Sequence, residues 1–120
     1  MFSKIVLPLD GSPVAEIALP YARALAQGLN LPVTLLSALD LEEIARHIAI
    51  ERGLFLDTLD DFETHHRHEY LTSTAKSFAG VTVECHVKKG VAAGSIVEYA
   101  AADKNILIVM ATHGLSLIHI

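Results

Sequence analysis

The stretch Lys4-Ile5-Val6-Leu7-Pro8-Leu9-Asp10-Gly11-Ser12 restricts the folds open to this chain more than any other. Its first half is apolar and β-branched with no polar alternation, as in a strand covered on both faces. Pro8 then limits ladder donation, and Asp10-Gly11-Ser12 supplies turn chemistry. Ser12 followed by Pro13 reads as an N-cap and a proline at the first helical position. A strand, a tight turn and a helix start in so short a span open an α/β domain. Ligands of open α/β sheets sit outside the carboxyl ends of the strands. Asp10 stands at such an end and is the first candidate for function.

The same alternation continues along the chain. Pro13 to Gln27 carries Val14, Ile17, Ala18, Tyr21, Ala22 and Leu25 at the spacing of a buried helical stripe, with a kink expected at Pro20 and Gly28 in the left-handed terminal position. Pro32 introduces a second apolar strand, Val33 to Ala38, closed by Asp40. Leu41 to Ala79 reads as mostly helical but broken near Gly53, with one helix over Leu41 to Arg52. A second, capped by Asp57 or Thr58, is expected to bury Leu59, Phe62, Tyr70, Leu71, Ala75 and Phe78. Val81 to Val87 alternates apolar and polar residues and predicts an edge strand. A helix is expected from Ala92 to Asp103, with Ile96, Tyr99 and Ala100 inward. Ile106 to Met110 forms the most apolar strand of all and leads into Ala111-Thr112-His113-Gly114. This order predicts parallel strands joined by right-handed crossovers. The first and fourth strands, both wholly apolar, are expected to be central neighbours whose carboxyl ends form a switch-point crevice.

Composition excludes several classes. At 120 residues the chain suits one domain, and 52% hydrophobic residues provide for a sizeable core. The apolar runs are too short to span a bilayer, so no membrane partner is expected. A net charge of −5 argues against a nucleic-acid footprint. The single cysteine, Cys85, precludes an internal disulfide and suits a reducing cytoplasm.

Chemistry-bearing patterns are sparse. Asp10 suits hydrogen bonding to a ribose or an adenine amine, Mg²⁺ binding or phosphoryl acceptance, and equally a turn aspartate capping its own backbone. Leu9 to Ser12 superficially resembles the D-x-D-G-[ST] motif of haloacid-dehalogenase-like phosphatases. The attacking carboxylate of those enzymes lies two residues earlier, where this chain has Pro8. Gly90-Val91-Ala92-Ala93-Gly94-Ser95 lacks the lysine and spacing of a Walker A loop and reads as a strand-to-helix turn with close packing. His65 and Glu69 share a helix face, but no further clustered ligands support a metal, so a solvated face is expected. Cys85 and His86 are strand neighbours and point to opposite faces. No catalytic nucleophile or base is assignable, which leans against an enzyme.

Ile5-Val6-Leu7-Pro8-Leu9-Asp10-Gly11-Ser12 at the start and Ile108-Val109-Met110-Ala111-Thr112-His113-Gly114 at the end together make the chain resemble the universal stress protein family. Leu35 to Ala38, Tyr70-Leu71 and Gly90 before Ile96 to Ala100 agree with it. The resemblance spans Met1 to Gly114. It implies a Rossmann-like α/β three-layer sandwich (adenine nucleotide alpha hydrolase-like) with a parallel sheet of order 3-2-1-4-5, and often a homodimer formed through the fifth strand. One branch of the family binds ATP through G-x2-G-x9-G-[ST] after the fourth strand. By that resemblance Pro8, Leu9, Asp10 and Ala38 would cradle the nucleoside, with Ala38 touching adenine through its backbone. Met110, Ala111 and Gly114 would approach ribose and phosphates. Ala111 replaces the first motif glycine, Gly114 matches the second, and the third lies beyond Ile120.

The expectation is therefore a cytoplasmic, adenine-nucleotide-binding stress-response module that takes ATP with Mg²⁺ and hydrolyses it slowly at most. The alternative is a dimerisation or interaction module of the same fold without a nucleotide. Leu115 to Ile120 departs from the family pattern and is expected to be a non-native tail, from translated read-through at the edge of a fragmentary gene, or else a truncated strand. The domain is then residues 1–114, its fifth strand is expected to be missing, and the fourth would be left as an aggregation-prone edge.

Overall fold

The computed structural model describes residues 2–40, 56–103, 105–112 and 116–119. Its elements run β1 (Lys4–Pro8), α1 (Pro13–Glu16), α2 (Leu19–Leu29), β2 (Val33–Leu39), α3 (Leu56–Ala75), β3 (Val83–Lys89), α4 (Ala92–Ala101), β4 (Ile106–Thr112) and β5 (Ser116–His119). The helix expected over Leu41 to Arg52 lies outside the described residues.

The sheet has the order β3-β2-β1-β4-β5, and its first four strands are parallel. β1 lies between β2 and β4, so the two apolar runs, Ile5 to Pro8 and Ile106 to Ala111, are on neighbouring strands as expected. β3 is an edge strand with alternating exposure. The parallel fifth strand implied by the family resemblance is not formed by the described residues. Its place is nevertheless filled, because Ser116–His119 turns back and pairs antiparallel with β4, opposing Val109 with Ile118 and Thr112 with Ser116. The expected bare edge on β4 is thus corrected: the tail closes a hairpin onto it.

Helices cover both faces. On one, Ile5, Leu7, Leu35 and Val109 meet Ala18, Ala22, Leu71 and Phe78 in the main core. On the other, Val6, Leu36 and Ile106 pack against Ile96 and Tyr99 of α4. The first helical stretch is broken rather than kinked. Ile17 and Ala18 donate to Val14 and Ala15 in tight three-residue turns, and Pro20 opens α2 instead of bending a continuous helix. The alanines at i, i+4 and i+8, Ala18, Ala22 and Ala26, make the close approach to the sheet. Val14, Ile17 and Tyr21, expected inward, remain exposed. Asn30, not Gly28, takes the left-handed cap, with its N–H on the Ala26 carbonyl.

α3 runs through Asp57 and Thr58 rather than being capped by them. It buries Leu71, but Phe62 is 64% exposed and stacks on His66. Phe78, beyond the helix end, turns back into the core. Among the described residues no helix is long and apolar enough to cross a membrane.

Candidate functional site

The candidate cleft originates in how β1 ends. Ile5 and Leu9 donate their N–H groups toward β2, to Pro32 and Leu36. Backbone groups alternate sides along a strand, so the nitrogen of Pro8 faces β4, and a proline nitrogen carries no hydrogen to donate. Pairing of β1 with β2 reaches Pro8↔Leu36, whereas pairing with β4 stops at Val6↔Ile108. Beyond that point the two central strands separate at their carboxyl ends.

The opening is a cleft of about 130 Å³ lined by Pro8, Leu9 and Asp10 after β1, Ala15 of α1, Leu36 and Ala38 of β2, Ile96 of α4, and Met110 and Ala111 of β4. It lies where the chain's winding reverses, between the strand that leads outward to β2 and the strand that returns from β3. The structure thus brings Pro8, Leu9, Asp10, Ala38, Met110 and Ala111 to one place, while Gly114 lies outside the described residues. Sequence reasoning missed Ala15, Leu36 and Ile96. Their signal was only apolar periodicity, which core and cleft share.

Asp10 is held by its own turn. Its Oδ1 accepts from the Ser12 N–H at 2.8 Å, and Ser12 Oγ in turn accepts from the Ala15 N–H at 3.2 Å to cap α1. Gly11 between them has φ +88°, a conformation in which a side chain would be strained even though nothing crowds the position. Both readings of Asp10 therefore apply to one residue, since the capping carboxylate is also a cleft wall. Partial burial pushes its pKa up. The hydrogen bonds from Ser12, together with its own backbone and the charge of Arg67, outweigh that and hold the carboxyl below its ordinary value.

Arg67 of α3 was passed over in the sequence because it sits in a histidine-rich run. Its Nη1 donates to Ser37 Oγ at 2.7 Å and to the Ala38 carbonyl at 3.2 Å. Tyr70, one turn on, donates its hydroxyl to a Glu16 carboxylate oxygen at 2.5 Å. Burial, that hydrogen bond and the Glu16 and Asp10 charges drive the Tyr70 pKa well above its ordinary value, so the phenol stays protonated. One face of α3 thereby grips both the end of β2 and the helix that follows Asp10.

None of the remaining motifs lines the cleft. His65 and Glu69 pair at 2.5 Å on an open face, and no group of potential metal ligands occurs among the described residues. Cys85 faces the main core, where burial raises its thiol pKa despite a hydrogen bond with Thr72. His86 faces Tyr99 on the opposite side. Gly90 has φ +136° at the turn into α4, with Ser95 Oγ 3.3 Å from where a Cβ would stand, so turn and packing both need glycine there. A Cβ at Gly94 would meet nothing within 4 Å, so close packing does not require glycine there.

Four parallel strands in this order, helices on both faces and a cleft at the switch point define a doubly wound, Rossmann-like α/β domain. The profile of the Universal stress protein family matches residues 1–119, and the chain belongs to that family. Among solved structures it is similar to the hypothetical protein MJ0577, reported as a structural-genomics test case of assigning biochemical function from structure. The two are 28% identical with a TM-score of 0.78, over 96% of this chain and 78% of that one. It shares its fold with a universal stress protein family member from Burkholderia pseudomallei (23% identity, TM-score 0.74, 93% and 83% coverage). The universal stress protein UspA from Lactobacillus plantarum also has this fold (18%, 0.59, 93% and 80%). Comparison with curated protein sequences returns no significant match.

Proposed function

We propose that the cleft binds an adenine nucleotide, and that the protein works as a cytoplasmic stress-response module governed by that ligand. The observation that carries this reading is the convergence of Pro8, Leu9, Asp10, Ala38, Met110 and Ala111 on one cleft at the switch point. Its character suits the nucleoside end of the ligand. The walls are mostly apolar, as a purine face requires, and Asp10 is an ionised acceptor suited to ribose hydroxyls. A volume of about 130 Å³ takes a ring system rather than a whole nucleotide, so the phosphates lie toward the carboxyl end of β4 and solvent. Mg²⁺ would arrive on the phosphates, since Asp10 is the sole carboxylate among the lining residues. Asp10, the one carboxylate of the lining, is assigned to the ribose in this reading and not to the phosphates, so hydrolysis is slow at most.

Calorimetric titration of ATP with Mg²⁺ into the wild type and Asp10→Ala tests the reading. Saturable binding, weakened about tenfold or more by loss of the acceptor, is expected. No binding to folded protein would discard the nucleotide and leave a dimerisation module. Sedimentation of the same samples reads whether the chain pairs as a homodimer.

A further inference from the structure

The polar groups offered at the cleft come from two different strands, Asp10 after β1 and the Ala38 peptide of β2. The β1–β2 register ends at Pro8↔Leu36, so no ladder pairing ties those two points directly. Arg67 holds the β2 side of that gap. Its guanidinium donates to the Ala38 carbonyl and to the hydroxyl of Ser37, which is fully buried. The same cation lies within electrostatic reach of Asp10. Tyr70, at i+3 on the same face of α3, holds Glu16 of α1 and fixes the helix on which Arg67 is mounted.

We propose that Arg67 is a positioning residue of this cleft, pinning the end of β2 through Ala38 and Ser37 and setting its charge against Asp10, so that the base-facing peptide and the ribose-facing carboxylate are held in fixed relation. For its ligand this rests on the nucleotide reading above; for Asp10 it does not. Among the described residues the groups acting on Asp10 are few. Its own turn supplies Ser12, and α3 supplies Arg67 and the neutral Tyr70, behind which stands Glu16 of α1. β4 and α4 present Met110, Ala111 and Ile96, which carry no charge. Among the described residues Arg67 is the cation whose charge acts on Asp10, and its planar guanidinium is suited to holding a carbonyl and a hydroxyl together.

The test compares Arg67→Met and Arg67→Lys with the wild type, with Arg67→Gln as a second neutral variant should the methionine protein fail to fold. The side-chain carboxyl carbon of Asp10 is followed by NMR as pH is lowered, and ATP affinity is measured by calorimetry in parallel. The Asp10 midpoint is expected to rise in the neutral variants and to return toward the wild-type position in Arg67→Lys. A purely structural role would lower stability without that charge-dependent pattern. ATP affinity is expected to fall on the order of tenfold in Arg67→Met. An unmoved midpoint, an equal shift in the methionine and lysine proteins, or unchanged ATP affinity in Arg67→Met overturns the proposal. If the wild type binds no ATP, the nucleotide reading fails, and the Asp10 midpoints alone decide the role of Arg67.

Discussion

Asp10 combines two jobs that a single carboxylate can hold only because its turn is so constrained. Oδ1 caps the Ser12 N–H, and the charge faces the cleft. Its folded-state pKa lies below the unfolded one, so the stability it contributes is complete above the ordinary carboxylate range near pH 4. That contribution is lost as pH falls through the lower folded value. Asp103 behaves alike, through the Asn105 N–H and then the Ser3 hydroxyl on its two oxygens. The melting temperature of the wild type should therefore drop more steeply below pH 4 than that of Asp10→Asn, and a parallel acid limb in the two proteins would contradict this. Gly11→Ala should cost about 1–2 kcal/mol in urea unfolding, the strain of a left-handed backbone with a Cβ and not a steric clash. The Asp-Gly-Ser turn was legible in the sequence because its chemistry is local. Arg67 was not, because what distinguishes it from the neighbouring histidines is a contact 30 positions away with Ser37.

Among the elements, α3 shows where periodicity misleads. Its sequence offers Phe62 and Leu71 as equivalent apolar positions, but the sheet beneath covers only the later turns. Leu71→Ala should accordingly cost roughly 3 kcal/mol, as expected for a fully buried leucine, while Phe62→Ala should stay within about 0.5 kcal/mol. Equal losses in chemical denaturation would show that the helix packs otherwise. Tyr70→Phe removes the link to Glu16 and should lower stability by about 1 kcal/mol. The raised Tyr70 pKa gives this link the opposite pH sign to Asp10, with its contribution present below the unfolded pKa near 10 and lost as pH rises beyond it. The wild type should therefore lose more of its stability between about pH 9 and pH 11 than Tyr70→Phe does. The strands were more legible than the helices. Ile5 to Pro8 of β1 and Ile106 to Ala111 of β4 are unbroken apolar runs because both faces are covered, and β3 alternates because one is not. Of the stripe expected between Pro13 and Gln27, Ala18 and Ala22 are buried and Leu25 packs on the core, whereas Val14, Ile17 and Tyr21 stay out, since a helix lying close on a sheet buries its smallest residues where the backbones approach.

Across the whole molecule, the strand order and the cleft both follow from the central position of β1, and that much could be read from its sequence. The outer edge of β4 could not. Ser116–His119 offers no turn or strand signal that announces an antiparallel return, and its pairing with β4 runs through backbone groups. The missing donor of Pro8 has a further consequence, for the timing of recognition. A cleft held open by the covalent form of one residue is present in every molecule before any ligand arrives. None of the population has to wait in a closed state, and none of the binding free energy is diverted to opening it. Association should then show a single phase whose rate rises linearly with ligand concentration in stopped-flow mixing. Pro8→Ala, which returns an N–H to the side facing β4, should let the ladder lengthen and close part of the population. A slow, concentration-independent phase would then appear, together with a protected amide at position 8 in hydrogen exchange.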